Sequence, residues 1–162
     1  MRPTRYPYYR EAAKCLKPIL ENLPGKIIAI HGPMGSGKTS LGRYLAYRFN
    51  VSLVEADLFL NSESGGLEYR IEEIGKIISH RIDRSDPRPV IIDSVIVLKI
   101  LDKLNRNSDF VIYLYSEDSK NDQQSLIKYC KEDQLTKDII EYERNYSPEY
   151  KSSIVLQRPR SA

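Results

Sequence analysis

The string Gly32-Pro33-Met34-Gly35-Ser36-Gly37-Lys38-Thr39 constrains what this chain can fold into more than any other feature. It fits the pattern G-x-x-x-x-G-K-[ST], and it lies where that pattern must lie, between an apolar run at 26–31 and a helical period over 38–49. Glycines at 32, 35 and 37 permit backbone conformations that a Cβ forbids, so successive N–H groups can turn inward around an anion. The helix that follows adds the positive end of its dipole. The expected ligand is a phosphate chain, with Gly32, Pro33, Met34, Gly35, Ser36, Gly37, Lys38, Thr39 and Ser40 as the candidate cradle. Lys38 can bridge two phosphates, and the Thr39 hydroxyl is a hard oxygen ligand suited to Mg²⁺.

The rest of the chain alternates short apolar runs with helical periods, the pattern of a layered α/β domain. Ala12, Cys15, Leu16, Ile19 and Leu20 mark a helix over 8–22, stopped by Pro24-Gly25. Strands are expected at 26–31, 51–55, 88–93, 109–115 and 153–157. Helices are expected at 38–49, from Leu67 to about Ile78, and at 97–104, with a polar helical stretch at 116–147. Tyr6, Tyr8 and Tyr9 crowd the N-terminal arm, which reads as an extended surface segment. Ala12, Leu16, Ile19 and Leu20 form either a packed helix face or a contact between two copies of the chain.

Composition sets the remaining limits. A chain of 162 residues, 41% hydrophobic and 29% charged, is expected to make one domain with one core, residues 1–25 forming an N-terminal arm and helix. No apolar run approaches the roughly 18 residues of a membrane span, and the basic N-terminus lacks a signal-type apolar stretch. Cys15 and Cys130 lie far apart without metal-ligand spacing, so a reduced, cytoplasmic protein is expected. The net charge of +3 suits a phosphorylated ligand and does not suggest a nucleic-acid groove; Arg81, Arg84 and Arg88 are too sparse to form one.

Two carboxylates complete the constellation. Asp93 ends the apolar strand at 88–93, the place from which a carboxylate holds Mg²⁺, although it or Ser94 could equally cap the next helix. Asp57 follows the strand at 51–55. A carboxylate there can take the proton of an attacking hydroxyl, or serve as a turn residue bonding its own backbone. Glu55, within the strand, is placed for a supporting or Mg²⁺-side role rather than that of the base. His31 has no acid partner in sequence and reads as a packing or hydrogen-bonding residue.

With those residues in view, Ile28-Ala29-Ile30-His31-Gly32, the glycine string, Asp57-Leu58-Phe59 and the Asp93 strand resemble the uridine kinase and phosphoribulokinase branch of the P-loop kinases. The resemblance extends over about 26–158, through Tyr142, Tyr146-Ser147-Pro148 and Ser153-Ile154-Val155-Leu156. It implies a three-layer α/β/α P-loop NTPase fold with a mostly parallel five-stranded sheet, ATP on the cradle, and a small hydroxylated acceptor, most specifically a nucleoside, presented to Asp57. Tyr69 and Arg70, on the helix after the Gly65-Gly66 loop, are the expected acceptor contacts, with helix packing and a surface charge as the plain alternatives. Arg158, after the last strand, is the expected adenine contact. A lid is implied at 116–147, where the single arginine, Arg144, is either the transition-state cation or a solvated helix charge. That scarcity of arginine leaves a second reading open, a nucleotide-dependent switch in which 116–147 engages a protein partner. No N-K-x-D string and no dehydrogenase fingerprint is present, which disfavours a GTPase and a Rossmann oxidoreductase.

Overall fold

A computed structural model of the chain describes residues 6–160. The five apolar runs form β1 (Ile27–His31), β2 (Ser52–Glu55), β3 (Val90–Asp93), β4 (Phe110–Tyr115) and β5 (Ile154–Gln157), paired in the order β2-β3-β1-β4-β5. Every ladder is parallel. β1 and β3 are buried along their whole length, which is why they read as unbroken apolar runs, whereas the edge strands β2 and β5 are partly exposed.

Successive residues of a strand point to opposite faces, so β1 feeds two cores. Ile28 and Ile30 join Ile91, Ile112, Leu41 and Leu45 under α1 (Pro7–Leu20) and α2 (Lys38–Phe49). Ile27 and Ala29 join Val90 and Ile92 under α3 (Ile71–Ile82), α4 (Val97–Lys103) and α6 (Gln134–Tyr146). The crossover from β4 to β5 is completed by α5 (Glu117–Tyr129) and the short α7 (Pro148–Lys151). The result is the expected three-layer domain.

β1 has β3 on one side and β4 on the other, so the connections diverge at its carboxyl end and open a crevice there. Register aligns the acidic strand ends with this crevice: Asp93 pairs with Ile30 on one side and Glu55 on the other.

Two expectations change. Tyr8 and Tyr9 are not in an extended arm: Pro7 opens α1 with its φ already fixed for a helix, Tyr8 is buried, and Tyr9 stacks on Tyr44 with ring centroids 4.7 Å apart. Tyr6 is exposed, and residues 1–5 of the arm lie outside the described residues. The third helix begins at Ile71 rather than Leu67, because Tyr69 bridges Leu60 antiparallel and the Asn61 and Arg70 amides donate to Glu68 and Phe59. Tyr69 therefore precedes the helix, and Arg70 sits at its N-cap. The stretch 116–147 is a helical hairpin whose second helix buries Thr136, Ile139 and Tyr142. Ala12, Leu16 and Leu20 are buried within the chain's own core, so that face of α1 is a packed one.

Candidate active site

Gly32, Gly35 and Gly37 all adopt positive φ, at 147°, 73° and 99°. A Cβ on Gly32 would come within 1.9 Å of the Leu114 carbonyl oxygen, so only glycine lets the loop leave β1 against β4. A Cβ on Gly35 would meet nothing within 4 Å, so this glycine answers to conformation and to the open space over the loop. Pro33 is buried, Met34 is exposed, and the Lys38 ammonium donates to the Pro33 carbonyl at 2.9 Å, closing the loop on itself. The Ser36 hydroxyl is buried without a hydrogen-bond partner among the described residues.

Lys38 is nearly enclosed. Burial pushes its ammonium down to about 8, while the charges of Asp57 and Asp93 pull the other way. Those interactions bring the lysine and both predicted carboxylates into one electrostatic unit. Burial raises the Asp93 carboxyl to about 6, opposed by the adjacent Thr39 hydroxyl, and the Asp57 charge raises it further. Its Oδ2 is buried and has no hydrogen-bond partner among the described residues. A hydroxyl and an under-satisfied carboxylate side by side form an oxygen donor pair that fits Mg²⁺. Glu55, the next strand end, is held by Arg43 through two hydrogen bonds of 2.6 and 2.9 Å.

Asp57 lies exposed on a one-turn 3₁₀ helix, Ala56–Phe59, just beyond β2. Tyr69 donates to its Oδ1 at 3.2 Å, Ser94 donates to the Tyr69 oxygen at 3.1 Å, and the Ile96 amide donates to Ser94 at 3.1 Å. Every proton in this relay points toward Asp57. Burial, opposed by the Ser94 hydrogen bond, raises the Tyr69 phenol, so it stays protonated and remains a donor. The sequence offers Tyr69 as an acceptor contact or a packing residue and Ser94 as an alternative cap; the bond between them joins a bridge and a strand end 25 residues apart.

The remaining candidates divide. The Arg158 side chain lies across the loop, its Nη1 3.2 Å from where a Gly37 Cβ would be, with its backbone amide on the Tyr115 carbonyl at 2.7 Å. Ser40 is exposed on the first turn of α2, where it interacts with the Tyr9 hydroxyl. Arg70 is exposed and spends its charge on Glu73 at 3.2 Å and the Leu58 carbonyl at 3.0 Å. Arg144 is exposed in the last turn of α6, with no hydrogen bond or ion pair among the described residues. That turn is anchored by Tyr146 to Asp102 near the end of α4. The opposite end of α6 reaches the segment after Gly65-Gly66, where Asp138 accepts the Leu67 amide at 2.7 Å.

His31 closes the rear of the loop. Ser152 gives its proton to the Pro148 carbonyl at 2.6 Å, so it must accept from His31 Nε2, also at 2.6 Å. His31 Nδ1 is then the acceptor for the Tyr142 hydroxyl at 2.9 Å. Burial, reinforced by Lys38, pushes this imidazole down to about 3. It is a neutral structural group, as expected.

A parallel sheet of this order, a glycine cradle after its first strand and carboxylates closing the next two make a P-loop α/β fold, one that solved P-loop small-molecule kinases share. A possible uridine kinase from Bacillus stearothermophilus superposes with a TM-score of 0.60 at 16% identity, covering 92% of this chain and 99% of that one. A sugar kinase from Janibacter superposes at 0.50 with 17% identity, covering 83% and 86%. In sequence, the chain is 40% identical to a shikimate kinase from Psychrobacter cryohalolentis over 47 residues, a match spanning 29% of this chain and 24% of that protein. No protein-family model matches.

Proposed function

We propose that the chain is a phosphotransferase that moves the γ-phosphoryl group of ATP to a hydroxyl of a small molecule, with a nucleoside as the acceptor. The observation that carries this reading is the Asp57 carboxylate, exposed beside the loop, electrostatically joined to Lys38 and held by the Tyr69 hydroxyl. A nucleotide-binding loop alone needs no such carboxylate.

In the proposed reaction the loop amides and Lys38 hold the phosphate chain, and Arg158 over Gly37 contacts the nucleotide. Thr39 and Asp93 would hold Mg²⁺. Once bound there, the ion supplies charge neutralisation on the phosphates. Asp57 orients the acceptor hydroxyl and takes its proton as the new oxygen–phosphorus bond forms and the bond to the β-phosphate oxygen breaks, releasing ADP. Tyr69, through its hydrogen bond, fixes the direction in which Asp57 faces. The free thiols Cys15 and Cys130 suit a reducing, cytoplasmic setting.

The exposed position of Arg144 favours the second reading, a nucleotide-dependent switch, because it leaves the 116–147 hairpin without an arginine aimed at the loop. One experiment separates the two. Purified protein with Mg²⁺ and ATP is assayed for ADP release against uridine, cytidine, shikimate and simple sugars, beside the Asp57→Asn variant. A kinase shows an acceptor that accelerates ADP release in the native protein and not in the variant. Nucleotide binding with no acceptor effect transfers the reading to the switch.

A further inference from the structure

A second concavity lies away from the phosphate loop, between α1 and the lower half of α2. Its volume is about 500 Å³, within the range of small-molecule sites. Tyr44 and Phe49 on α2 lie roughly 9 and 16 Å along the helix axis from Lys38, at 1.5 Å per residue. A ligand here would not overlap the cradle.

The floor is apolar: Ala13, Leu20, Tyr44 and Phe49. Tyr44 is fixed by its stacking on Tyr9, and Leu20 is buried in the core, so the floor is preorganised. The rim is cationic, with Arg10, Lys14, Lys17 and Arg48 facing a single carboxylate, Glu21. Leaving Arg10 aside, Lys14, Lys17 and Arg48 outnumber that carboxylate by two. Lys14, Lys17 and Arg48 form no ion pair among the described residues, and the Arg48 guanidinium lies 5.9 Å from the Phe49 ring centroid. Helix periodicity explains the concentration of charge: residues 10, 14 and 17 recur on one face of α1, and 44 and 48 on one face of α2.

We propose that this groove is a binding site for a small amphipathic anion, an aromatic or acyl body carrying one phosphate or carboxylate. The body packs on Tyr44 and Phe49, and the anionic group is held by Lys14, Lys17 and Arg48. Lysine stems cover apolar surface while presenting their ammonium groups at the rim, which suits a ligand with one apolar end and one charged end.

The test uses 1-naphthyl phosphate as the probe and 1-naphthol as its neutral counterpart, titrated calorimetrically into the full chain saturated with Mg²⁺-ADP. The expected result is one site per chain for the phosphate, with binding of naphthol at least about tenfold weaker. Lys14→Glu combined with Lys17→Glu, both on exposed positions, should weaken the phosphate at least about tenfold. Lys76→Glu with Lys103→Glu makes the same change in net charge on the other face of the sheet and should leave binding within about twofold. Binding that ADP displaces would overturn the proposal, as would equal affinity for naphthol, equal loss in both charge-reversed pairs, or no binding at all. Sedimentation at several concentrations adds a further check, since self-association abolished by the Lys14 and Lys17 changes would assign the groove to a second copy instead.

Discussion

The Tyr69 hydroxyl sits 3.2 Å from Oδ1 of Asp57 and is itself oriented by Ser94, which fills the acceptor position on the tyrosine oxygen. The tyrosine is buried and the aspartate exposed, so a rigid donor holds a carboxylate that remains open to a ligand. A charge-assisted bond of this kind contributes about 1.5–3 kcal/mol. Tyr69→Phe keeps the ring and removes only the donor. It should lower kcat for acceptor phosphorylation by roughly 10–100-fold and leave the KM for ATP within about twofold. Steady-state kinetics with the acceptor found in the panel checks both numbers.

Asp57 and Lys38 should separate binding from transfer. Asp57→Asn keeps the shape and removes the proton acceptor, so transfer should fall by about 10²–10⁴-fold while ADP affinity measured by calorimetry stays within about threefold. Lys38→Ala removes the ammonium that closes the loop, and in the proposed reaction it should weaken ADP as well as abolish transfer. Equal losses of ADP affinity in the two variants would contradict the division of roles.

Two loop glycines should fail in different ways. In Gly32→Ala the new Cβ would strike the Leu114 carbonyl, a backbone atom that cannot turn aside, so a loss of more than about 3 kcal/mol in urea unfolding is expected. Gly35→Ala meets no atom but forces a residue with a Cβ to φ +73°, a cost of about 1–2 kcal/mol. Its larger effect should be on nucleotide affinity, because the methyl group enters the open space above the loop.

The frame of this site was legible in sequence because it is local. The glycine string, the apolar run before it and the helical period after it are contiguous, and Asp57 and Asp93 each follow their strands directly. What escaped was set by contacts between distant segments. The shared period of Leu67, Ile71, Ile74 and Ile78 predicts Tyr69 inside a helix, yet its bridge to Leu60 keeps it ahead of the helix, which starts at Ile71. Tyr8 looked like surface because three tyrosines in a polar arm resemble one, and only the Ala12, Leu16 and Leu20 stripe at intervals of four shows that position 8 continues the buried face. For Arg144 the sequence leaves a lid cation and a solvated helix charge both open, and its exposed place in the last turn of α6 accords with the second.

His31 gives a pH signature to the fold. Its folded value of about 3 lies below the ordinary 6.5, so the unfolded chain binds the extra proton, and stability is lost as pH falls through 6.5 toward 3. Asp93, raised to about 6, acts with the opposite sign between roughly 4 and 6, so the native protein alone shows a blunted slope. His31→Gln isolates the imidazole, because glutamine can still donate to Ser152 and accept from Tyr142 without titrating. Between pH 7.5 and 5 the native protein should lose about 2 kcal/mol more than the variant, read from urea midpoints at the two pH values.

Arg158 and Arg144 offer the sharpest contrast between the sequence expectation and the geometry. Arg158 lies over Gly37, at the start of α2, where its guanidinium faces whatever the loop holds, and its backbone is pinned to Tyr115. Arg144 projects from the last turn of α6 into solvent, two residues before Tyr146, which contacts Asp102. A cation in direct contact with a bound nucleotide is worth about 1.5–3 kcal/mol, whereas a solvated helix charge is worth a few tenths. Arg158→Ala should therefore weaken ADP about 10–100-fold, and Arg144→Ala should leave both ADP affinity and transfer within about twofold. If Arg144→Ala instead reduced turnover strongly with ADP binding intact, the 116–147 hairpin would have to close over the loop during catalysis and carry its arginine inward. Protease protection of that hairpin, with and without Mg²⁺-ADP and acceptor, distinguishes the two cases in the native protein: an unchanged cleavage pattern accords with a hairpin anchored by Thr136, Ile139 and Tyr142, and ligand-induced protection accords with closure.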